Sequence, residues 1–369
     1  MGVAVSHGLD GFEVEAEGQS AYFDSRSPCH AVFLRHSATL VATDQEVRKG
    51  ILAAWEGRSF RARYERPLLL CAAVRFDALR DSAHPLSTGL AREPPDMGGI
   101  SVDAVREALT RPSALASMRS RFVQTNEVTR ACVWRLPITI VGQGRPIVLA
   151  DLGCSAGLNL IADRLNLTWA RSDGAPLELQ PARIVGRIGF DRAPVDVRDE
   201  DAVEWLRACL WPGQTERLRR FEQAVRCARD AIAGGEMQME AVDATEMPAR
   251  LERLTLADRM VFAYQTVVLD YLLPAIRDRY QAAMSDWLVA HPQDCVWAEF
   301  ERSKAPAGGP AEIRVHFATS GRPTVRTLTL AHGEYHPEAL SVNAGALAEL
   351  AAQFQTRQDY PPAIPSVPM

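Results

Sequence analysis

The segment Ile147-Val-Leu-Ala-Asp-Leu-Gly-Cys-Ser-Ala-Gly157 constrains the fold of this chain more than any other part of the sequence. Its first half is a short apolar run that ends at an acid, which is typical of a buried strand. Its second half contains small residues and two glycines, which allow a tight turn and a close approach of the backbone to a ligand. We predict a helix after Gly157, whose N-terminal N–H groups would be open to that ligand. The segment therefore predicts a ligand-binding turn that follows a buried strand.

From about residue 131 onward, short apolar runs alternate with helical patterns. Strands are predicted at 138–141, 146–150, 183–190, 237–242, 259–263 and 295–299, and helices at 200–210, 216–232 and 273–288. Two alternating segments, 312–319 and 324–330, predict an antiparallel hairpin joined at Gly321-Arg-Pro323. Strands that are separated by helices form a parallel sheet with helices on both faces. The predicted fold is therefore α/β, with a mostly parallel, Rossmann-like sheet and a closing antiparallel hairpin.

The first third of the chain has a different pattern. Apolar residues recur at helical spacing, and no convincing strand is present. Helices are predicted within 31–40, 47–55, 67–79, 102–109 and 112–128, with a loop at 84–99. We therefore predict two domains: a helical N-terminal domain over 1–130, which we expect to cover the pocket, and a Rossmann-like domain over 131–369.

The composition narrows the classes of function. The 369 residues carry a formal net charge of -5 and are 24% charged, which is ordinary for a globular enzyme and argues against a nucleic-acid partner. The seven cysteines are scattered, without a CxxC pair, and the histidines lack ligand partners. We therefore expect no metal and a reducing, cytoplasmic compartment. No segment is long enough to span a bilayer, so we expect no membrane partner. The oligomeric state is left open.

Four interpretations of the turn at 153–157 compete. A dinucleotide site needs G-x-G-x-x-G, and the second glycine position is Ser155. The letters also match G-x-S-x-G, the nucleophile elbow of α/β-hydrolases, with Asp270 and His332 following in triad order. One point disfavours the hydrolase interpretation: the strand that precedes the elbow would be almost the first strand of the chain. The remaining interpretations are the acid-plus-glycine loop of methyltransferases and a plain turn without a ligand.

Acids also end the next two predicted strands. Asp191 follows the strand at 183–190, and Asp243 follows the strand at 237–242. Ligands of open α/β sheets bind at the carboxyl ends of the strands, and a carboxylate at the second strand can accept both hydroxyls of a ribose. The structural alternatives are that Asp191 caps a turn and that Asp243 caps a helix. Three acids at three successive strand ends favour a nucleoside-containing ligand.

These segments carry a family resemblance. Asp151 to Asn159, Gly189-Phe-Asp191 and Val242-Asp243-Ala resemble the first three motifs of class I S-adenosylmethionine-dependent methyltransferases. A closer resemblance is to a bacterial family of uncharacterised, methyltransferase-like proteins classed as a domain of unknown function. Its blocks are Ser-Ala-Gly-Leu-Asn-Leu at 155–160, Gly186 to Asp196, Trp205 to Pro212, Val242-Asp-Ala and Ala331-His-Gly333.

The resemblance implies S-adenosyl-L-methionine as cofactor and methyl transfer to an oxygen, nitrogen or carboxylate of a small molecule. Asp151 would face the ammonium group of the cofactor, Asp191 the ribose and Asp243 the adenine amine. The cofactor-binding residues implied are Asp151, Gly153, Ser155, Gly157, Asn159, Asp191, Asp243, Ala244 and Gln265.

The candidate catalytic residues are Tyr264, at the end of the fourth strand, and His332. Each has a structural alternative, as a buried tyrosine and as a loop histidine. Glu299 and Glu301 are candidates for substrate contacts or for the surface. Alternatives to methyl transfer are a non-catalytic cofactor- or nucleotide-binding protein on the same fold and an α/β-hydrolase that uses Ser155.

Overall fold

In a computed structural model of the chain, residues 8–60, 62–256, 258–303, 309–319 and 322–355 are described. They form two units. The first comprises the described residues up to Val128 together with Val195–Asp230, and the second comprises Thr129–Pro194 together with the described residues from Ala231 onward. The predicted boundary at 130/131 lies next to the first break. No pattern in the sequence indicates that 195–230, which lies between two strands, belongs with the N-terminal helices.

The first unit is helical, as its sequence predicts. Its α-helices are α1 (Phe12–Phe23), α2 (Pro28–Thr43), α3 (Gln45–Ala54), α4 (Glu65–Arg80), α5 (Val102–Thr110), α6 (Pro112–Ser120), α8 (Glu200–Ala208) and α9 (Thr215–Ala233), the last of which ends inside the second unit. The helix predicted over 112–128 is shorter than expected. The Arg58 guanidinium donates to the carbonyls of Met118 and Arg121, which caps the end of α6 in place of a further turn.

The second unit is built on a nine-stranded sheet. Its strands are β1 (Ile147–Leu152), β2 (Ala170–Arg171), β3 (Ile184–Asp191), β4 (Met237–Ala241), β5 (Met260–Thr266), β6 (Cys295–Arg302), β7 (Ala311–Thr319), β8 (Arg322–Gly333) and β9 (Ala339–Val342). Its α-helices are α7 (Cys132–Gly142), α10 (Met247–Leu254), α11 (Pro274–Ala290) and α12 (Ala344–Phe354).

The strand order is β2-β9-β8-β7-β6-β5-β1-β3-β4. The five strands from β4 to β6 run parallel, while β7, β8 and β9 continue the sheet in antiparallel pairs. The mostly parallel sheet and the closing hairpin are therefore confirmed, although Gly321 in the predicted hairpin turn lies outside the described residues. Among the described residues, no helix is both long and apolar enough to cross a membrane.

The order of the parallel strands creates a switch point. The chain passes from β1 to β3 and β4 on one side, and then returns to β5 on the other side of β1. Numbered along the chain, the parallel strands stand in the order 3-2-1-4-5, which is the beginning of the doubly wound arrangement. Such sheets bind ligands outside the carboxyl ends of the strands at the position where the order reverses. The carboxyl ends of β1 and β5 are therefore where a ligand is expected.

The strand predicted at 138–141 is wrong, because these residues lie in α7. The run is apolar and bounded by Pro137 and Gly142, and periodicity alone does not separate a short buried strand from a buried helix. Pro137 lies inside the helix, where its missing N–H removes only one bond of the ladder. Most residues of α7 are buried, so packing decides its conformation.

The helix predicted after Gly157 is also wrong. Residues 158–165 form successive turns, with a single 3-10 turn at Ala162–Arg164. Two carbonyls that an α-helix would use are taken by side chains instead: Trp134 Nε1 donates to the carbonyl of Asn159, and Arg187 Nε donates to that of Leu160. The sequence shows no sign of these two donors, which come from other elements.

Two glycines of β3 provide a matched test of the packing below the loop at residues 153–157, which we call the ligand loop because the sequence predicts a ligand there. A Cβ atom at Gly189 would lie 2.7 Å from Cys154 Sγ, whereas one at Gly186 would meet only Val148, at 3.8 Å. We predict that Gly189→Ala lowers the free energy of unfolding by about 1–3 kcal/mol through overpacking, and that Gly186→Ala changes it by less than about 1 kcal/mol. Urea denaturation measures both, and equal effects of the two substitutions would contradict this account.

Candidate functional site

Asp151 and Tyr264 face each other across the switch point. They are register partners on β1 and β5, and the Tyr264 hydroxyl donates to Asp151 Oδ2 over 2.9 Å. Both side chains are buried, with Asp151 only 2% exposed. Burial raises the pKa of Asp151 to about 8, aided by the charge of Asp191 and opposed by the hydrogen bond from Tyr264. The pKa of Tyr264 is raised well above its usual range, also by burial, so the phenol stays protonated and remains the donor.

The loop after β1 has an unusual backbone. Gly153, Ser155 and Gly157 have φ values of +88°, +51° and +67°, which is the left-handed region. Gly153 and Gly157 are required by the lack of space for a Cβ atom as well as by their backbone conformation. A Cβ at Gly153 would lie 2.5 Å from Val268 Cγ2, and one at Gly157 would lie 2.8 Å from Met239 Sδ. The loop is therefore in direct contact with the segment that follows β5.

The backbone N–H groups of this loop are used inside the protein. Those of Gly153 and Cys154 both donate to the carbonyl of Phe190, at 2.7 and 3.1 Å, and that of Gly157 donates to the carbonyl of Cys154. The Ser155 N–H donates to a carboxylate oxygen of Asp191. A phosphate would need several of these donors, so the arrangement is unfavourable for an anion.

Asp191 ties the carboxyl end of β3 to the loop. Its Oδ2 accepts the Ser155 N–H and its Oδ1 accepts the Ala193 N–H, both at 2.9 Å. Asp191 therefore caps a turn, which is the structural alternative that the sequence left open. Because each carboxylate oxygen has more than one acceptor direction, the half-buried group retains capacity for further hydrogen bonds. Its role toward a ligand stays a prediction.

Asn159 lies two residues after the glycine loop. Its carbonyl accepts from Trp134, while its Oδ1 atom is buried and has no hydrogen-bond partner among the described residues. A buried oxygen without a partner costs about 1–3 kcal/mol. The cofactor-binding role of Asn159 stays a prediction.

Asp243 is placed as a cap. Its Oδ1 accepts both the N–H and the hydroxyl of Thr245, at 3.1 and 2.9 Å, at the start of the 3-10 turn Ala244–Glu246. These bonds hold its pKa below the usual range. Asp243 is exposed and Ala244 partly so, and the adenine-binding role of these two residues stays a prediction.

Gln265 lies apart from the loop residues. It follows Tyr264 in β5, so its side chain lies on the opposite face of the sheet. The amide takes part in hydrogen bonds there: Nε2 donates to Glu301, and Oε1 accepts from Tyr280 and Trp297. Gln265 is completely buried in this internal network, on the face opposite to Tyr264, so the structure does not bring it together with the other candidate cofactor-binding residues.

The carboxylates of β6 were not singled out as buried groups by the sequence. Glu299 and Glu301 are both 2% exposed, and Glu299 is bound by Arg314 Nε at 2.6 Å. Burial and the neighbouring Glu299 raise the pKa of Glu301 to about 7, although Val268, Gln265 and Leu269 donate hydrogen bonds to it. The sequence does contain a signal for these buried groups: two acids stand at alternate positions around the end of a predicted strand, with an apolar residue between them.

His332 does not meet Tyr264. It lies near the end of β8, with Nδ1 3.9 Å from Glu312 Oε1, and its side chain is 43% exposed. Three strand spacings separate β8 from β5, which is about 14 Å at ~4.8 Å each. The two candidate catalytic residues therefore do not act on one atom in this arrangement.

The hydrolase triad is not assembled either. Ser155 follows β1, four strand spacings or about 19 Å from β8 and His332. Asp270 accepts instead from Arg302, at 3.4 Å. A nucleophile and its base must lie within hydrogen-bond reach, so this reading lacks its geometry. Among the described residues, no group of three or more metal-ligating side chains is present, and all seven cysteines are free.

A model of the bacterial family described as "Uncharacterized protein conserved in bacteria (DUF2332)" matches residues 16–341. The chain belongs to this family. The match confirms the uncharacterised bacterial family that the blocks at 155–160 and 186–196 resemble, and it extends over both units. No curated protein matches the chain.

Four chains among the solved structures match this chain. One of them is only distantly similar. It is a protein described as a protein-L-isoaspartate O-methyltransferase from Plasmodium falciparum, in complex with S-adenosyl-L-homocysteine. The identity is 9%, the TM-score is 0.27, and the match covers 57% of this chain and 72% of that chain. At this score the likeness says nothing about the ligand of the DUF2332 protein.

The buried Asp151 predicts a specific pH dependence of stability. Its pKa is about 8 in the folded protein against 3.8 for an unperturbed Asp, so its contribution to stability is lost as the pH rises between these values. We predict that Asp151→Asn, which keeps an acceptor for Tyr264, raises the melting temperature relative to wild type by an amount that grows from pH 4 to pH 8. Calorimetry at several pH values measures the difference, and a constant offset would show that Asp151 is not the titrating group.

Proposed function

We propose that this protein binds S-adenosyl-L-methionine at the carboxyl ends of β1 and β5 and transfers its methyl group to a small-molecule acceptor. The observation that carries the proposal is the buried Asp151–Tyr264 pair at the switch point, beside a loop with three left-handed residues. The family membership is compatible with this activity and does not define it, because the family is uncharacterised.

The charge of the site favours a cationic ligand over a phosphate. Asp151 is a buried carboxyl, and a cation in contact with it would favour its ionised form. The loop N–H groups that a pyrophosphate would need are already donated within the protein. S-adenosyl-L-methionine carries an ammonium and a sulfonium group and no phosphate. A dinucleotide would meet carboxylates where it needs donors.

The roles of the chain's own residues follow from these contacts. Asp151, held by Tyr264, would bind the ammonium group, and the spare acceptor directions of Asp191 would bind the ribose hydroxyls. When bound, the cofactor supplies an electrophilic methyl group on a positively charged sulfur. Catalysis can then consist largely of orienting an oxygen, nitrogen or carboxylate acceptor, so a general base is not essential.

One observation favours a second candidate, a non-catalytic binding protein with the same cofactor site. The Tyr264 hydroxyl is committed to Asp151, and His332 lies three strands away. Neither group is ready to take a proton from an acceptor beside β5. The two candidates share the binding site and differ only in whether a methyl group is transferred. For either one, a cytoplasmic location without nucleic-acid or membrane partners remains a prediction from the sequence.

Titration calorimetry with S-adenosyl-L-methionine and with S-adenosyl-L-homocysteine tests the proposal. We expect both to bind wild type, since both carry the ammonium group, and we expect Asp151→Asn and Asp191→Ala to weaken both by tenfold or more, or about 1.4 kcal/mol. Ser155→Ala is the matched control, because Ser155 contributes its backbone N–H to Asp191. We expect it to retain binding.

Absence of binding by both compounds in a folded sample would overturn the proposal. Covalent labelling of Ser155 by a fluorophosphonate, lost in Ser155→Ala, would instead support the hydrolase reading. Transfer of a radiolabelled methyl group to a pool of small molecules separates the enzyme from the non-catalytic protein.

Asn159 allows a further test, because its Oδ1 atom has no hydrogen-bond partner among the described residues. We predict that Asn159→Ala does not lower the free energy of unfolding, since no hydrogen bond of the side-chain oxygen is lost and the cost of burying it without a partner is removed. Binding of S-adenosyl-L-methionine should weaken at least fivefold. A large loss of stability with unchanged affinity would show that Asn159 supports only the loop.

A further inference from the structure

The turn after β5 contains a strained residue. Val267 has a φ of +55°, in the left-handed region. A β-branched side chain is a genuine outlier there, and such a conformation costs on the order of 1–3 kcal/mol and persists only where the surroundings impose it. We infer that Glu301 is a positioning residue that holds this strained turn against the ligand loop and thereby sets the affinity of the site for its cofactor. The effect on affinity rests on the proposed function, whereas the hold on the turn does not.

The contacts of Glu301 single it out as the anchor. One oxygen, Oε1, accepts the backbone N–H groups of Val268 and Leu269, at 2.8 and 3.3 Å, and the Gln265 amide at 2.8 Å. The Val267 N–H donates to the carbonyl of Phe300, at 2.9 Å. Two adjacent residues of β6 therefore bind three successive N–H groups of the turn. Above pH 7, where Glu301 is mostly ionised because its pKa is about 7, these bonds have a charged acceptor, and such hydrogen bonds are about twice as strong as neutral ones.

The anchor is itself rigidly held. Gln265, which donates to Glu301, accepts from the Tyr280 hydroxyl at 2.5 Å and from Trp297 Nε1 at 3.3 Å. All of these side chains are buried. Their hydrogen bonds fix the position of the Glu301 carboxylate from below, on the face of the sheet opposite to Tyr264. The network is thus a support for the turn and not a second binding pocket.

The turn transmits this constraint to the ligand loop through Val268. Its Cγ2 atom lies 2.5 Å from the position that a Cβ atom of Gly153 would occupy. Gly153 is the first left-handed residue of the loop, with φ +88°, and it follows Asp151 by two residues. If the turn relaxes, Val268 leaves this contact and the loop loses the wall that fixes its conformation. Glu301 therefore acts on the loop without touching a ligand.

The test compares Glu301→Gln with Glu299→Gln. Both replace a buried carboxylate of β6 by its neutral isostere, but Glu299 pairs with Arg314, whereas Glu301 accepts the N–H groups of Val268 and Leu269. The readouts are hydrogen–deuterium exchange of the peptide that contains Val268 and Leu269, the affinity for S-adenosyl-L-methionine, and the melting temperature. We expect Glu301→Gln to speed exchange at the turn at least tenfold and to weaken binding at least fivefold. Glu299→Gln removes a charge that opposes the ionisation of Glu301, so it should lower the melting temperature without speeding exchange at the turn or weakening binding.

A rescue variant distinguishes positioning from general destabilisation. Val267→Gly removes the strain, because glycine adopts a positive φ without cost. In the double variant with Glu301→Gln, we expect the affinity to return to within about threefold of wild type. Equal effects of the two glutamine variants on exchange, or no rescue, would overturn the inference. If wild type binds no S-adenosyl-L-methionine, the proposed function fails, and the exchange data alone still decide whether Glu301 holds the turn.

Discussion

Strand β1 is the element on which the second unit depends. It pairs in parallel with β3 on one side and β5 on the other, and all six of its residues are buried. Because a one-residue slip would exchange the two faces of a strand, this double pairing fixes the register of its neighbours. It brings Asp151 opposite Tyr264 and places the end of β3 within reach of the glycine loop. The strand pairings alone therefore bring the residues of the candidate site together.

Neighbouring residues of β5 take part in two different networks. Tyr264 lies on the face that carries Asp151, and Gln265 lies on the face that carries Glu301. The first network leaves a buried carboxyl beside an irregular loop, and the second binds both the oxygen and the nitrogen of the Gln265 amide inside the core. A buried polar network that is fully bonded specifies one arrangement. The strained turn at Val267 connects the two networks at the carboxyl end of the sheet.

The character of the ligand loop separates this site from a phosphate site. A helix N-terminus directed at the ligand would have offered free N–H groups and a positive dipole. Here the segment after Gly157 forms turns, and the loop N–H groups are donated to Phe190, Cys154 and Asp191. The other polar groups around the loop are hydrogen-bond acceptors: the carboxylates of Asp151 and Asp191 and the buried Oδ1 atom of Asn159. Acceptors of this kind suit a ligand that carries positive charge and hydroxyl groups.

The sequence alone predicts the α/β class, the helical first unit, the positions of β1 and of β3 to β8, and the acids at the strand ends. These depend on local periodicity, on glycine and proline, and on the rule that parallel strands end at one edge, all of which are readable along the chain. It did not determine that 138–141 is helical, that 158–165 is not, or that 195–230 joins the first unit. Nor did it show that Gln265 is turned into the core with Glu301. These points depend on tertiary contacts, because the partners involved are distant in sequence: the donors Trp134 and Arg187 for the turns after Gly157, and the β6 carboxylate of Glu301 for Gln265.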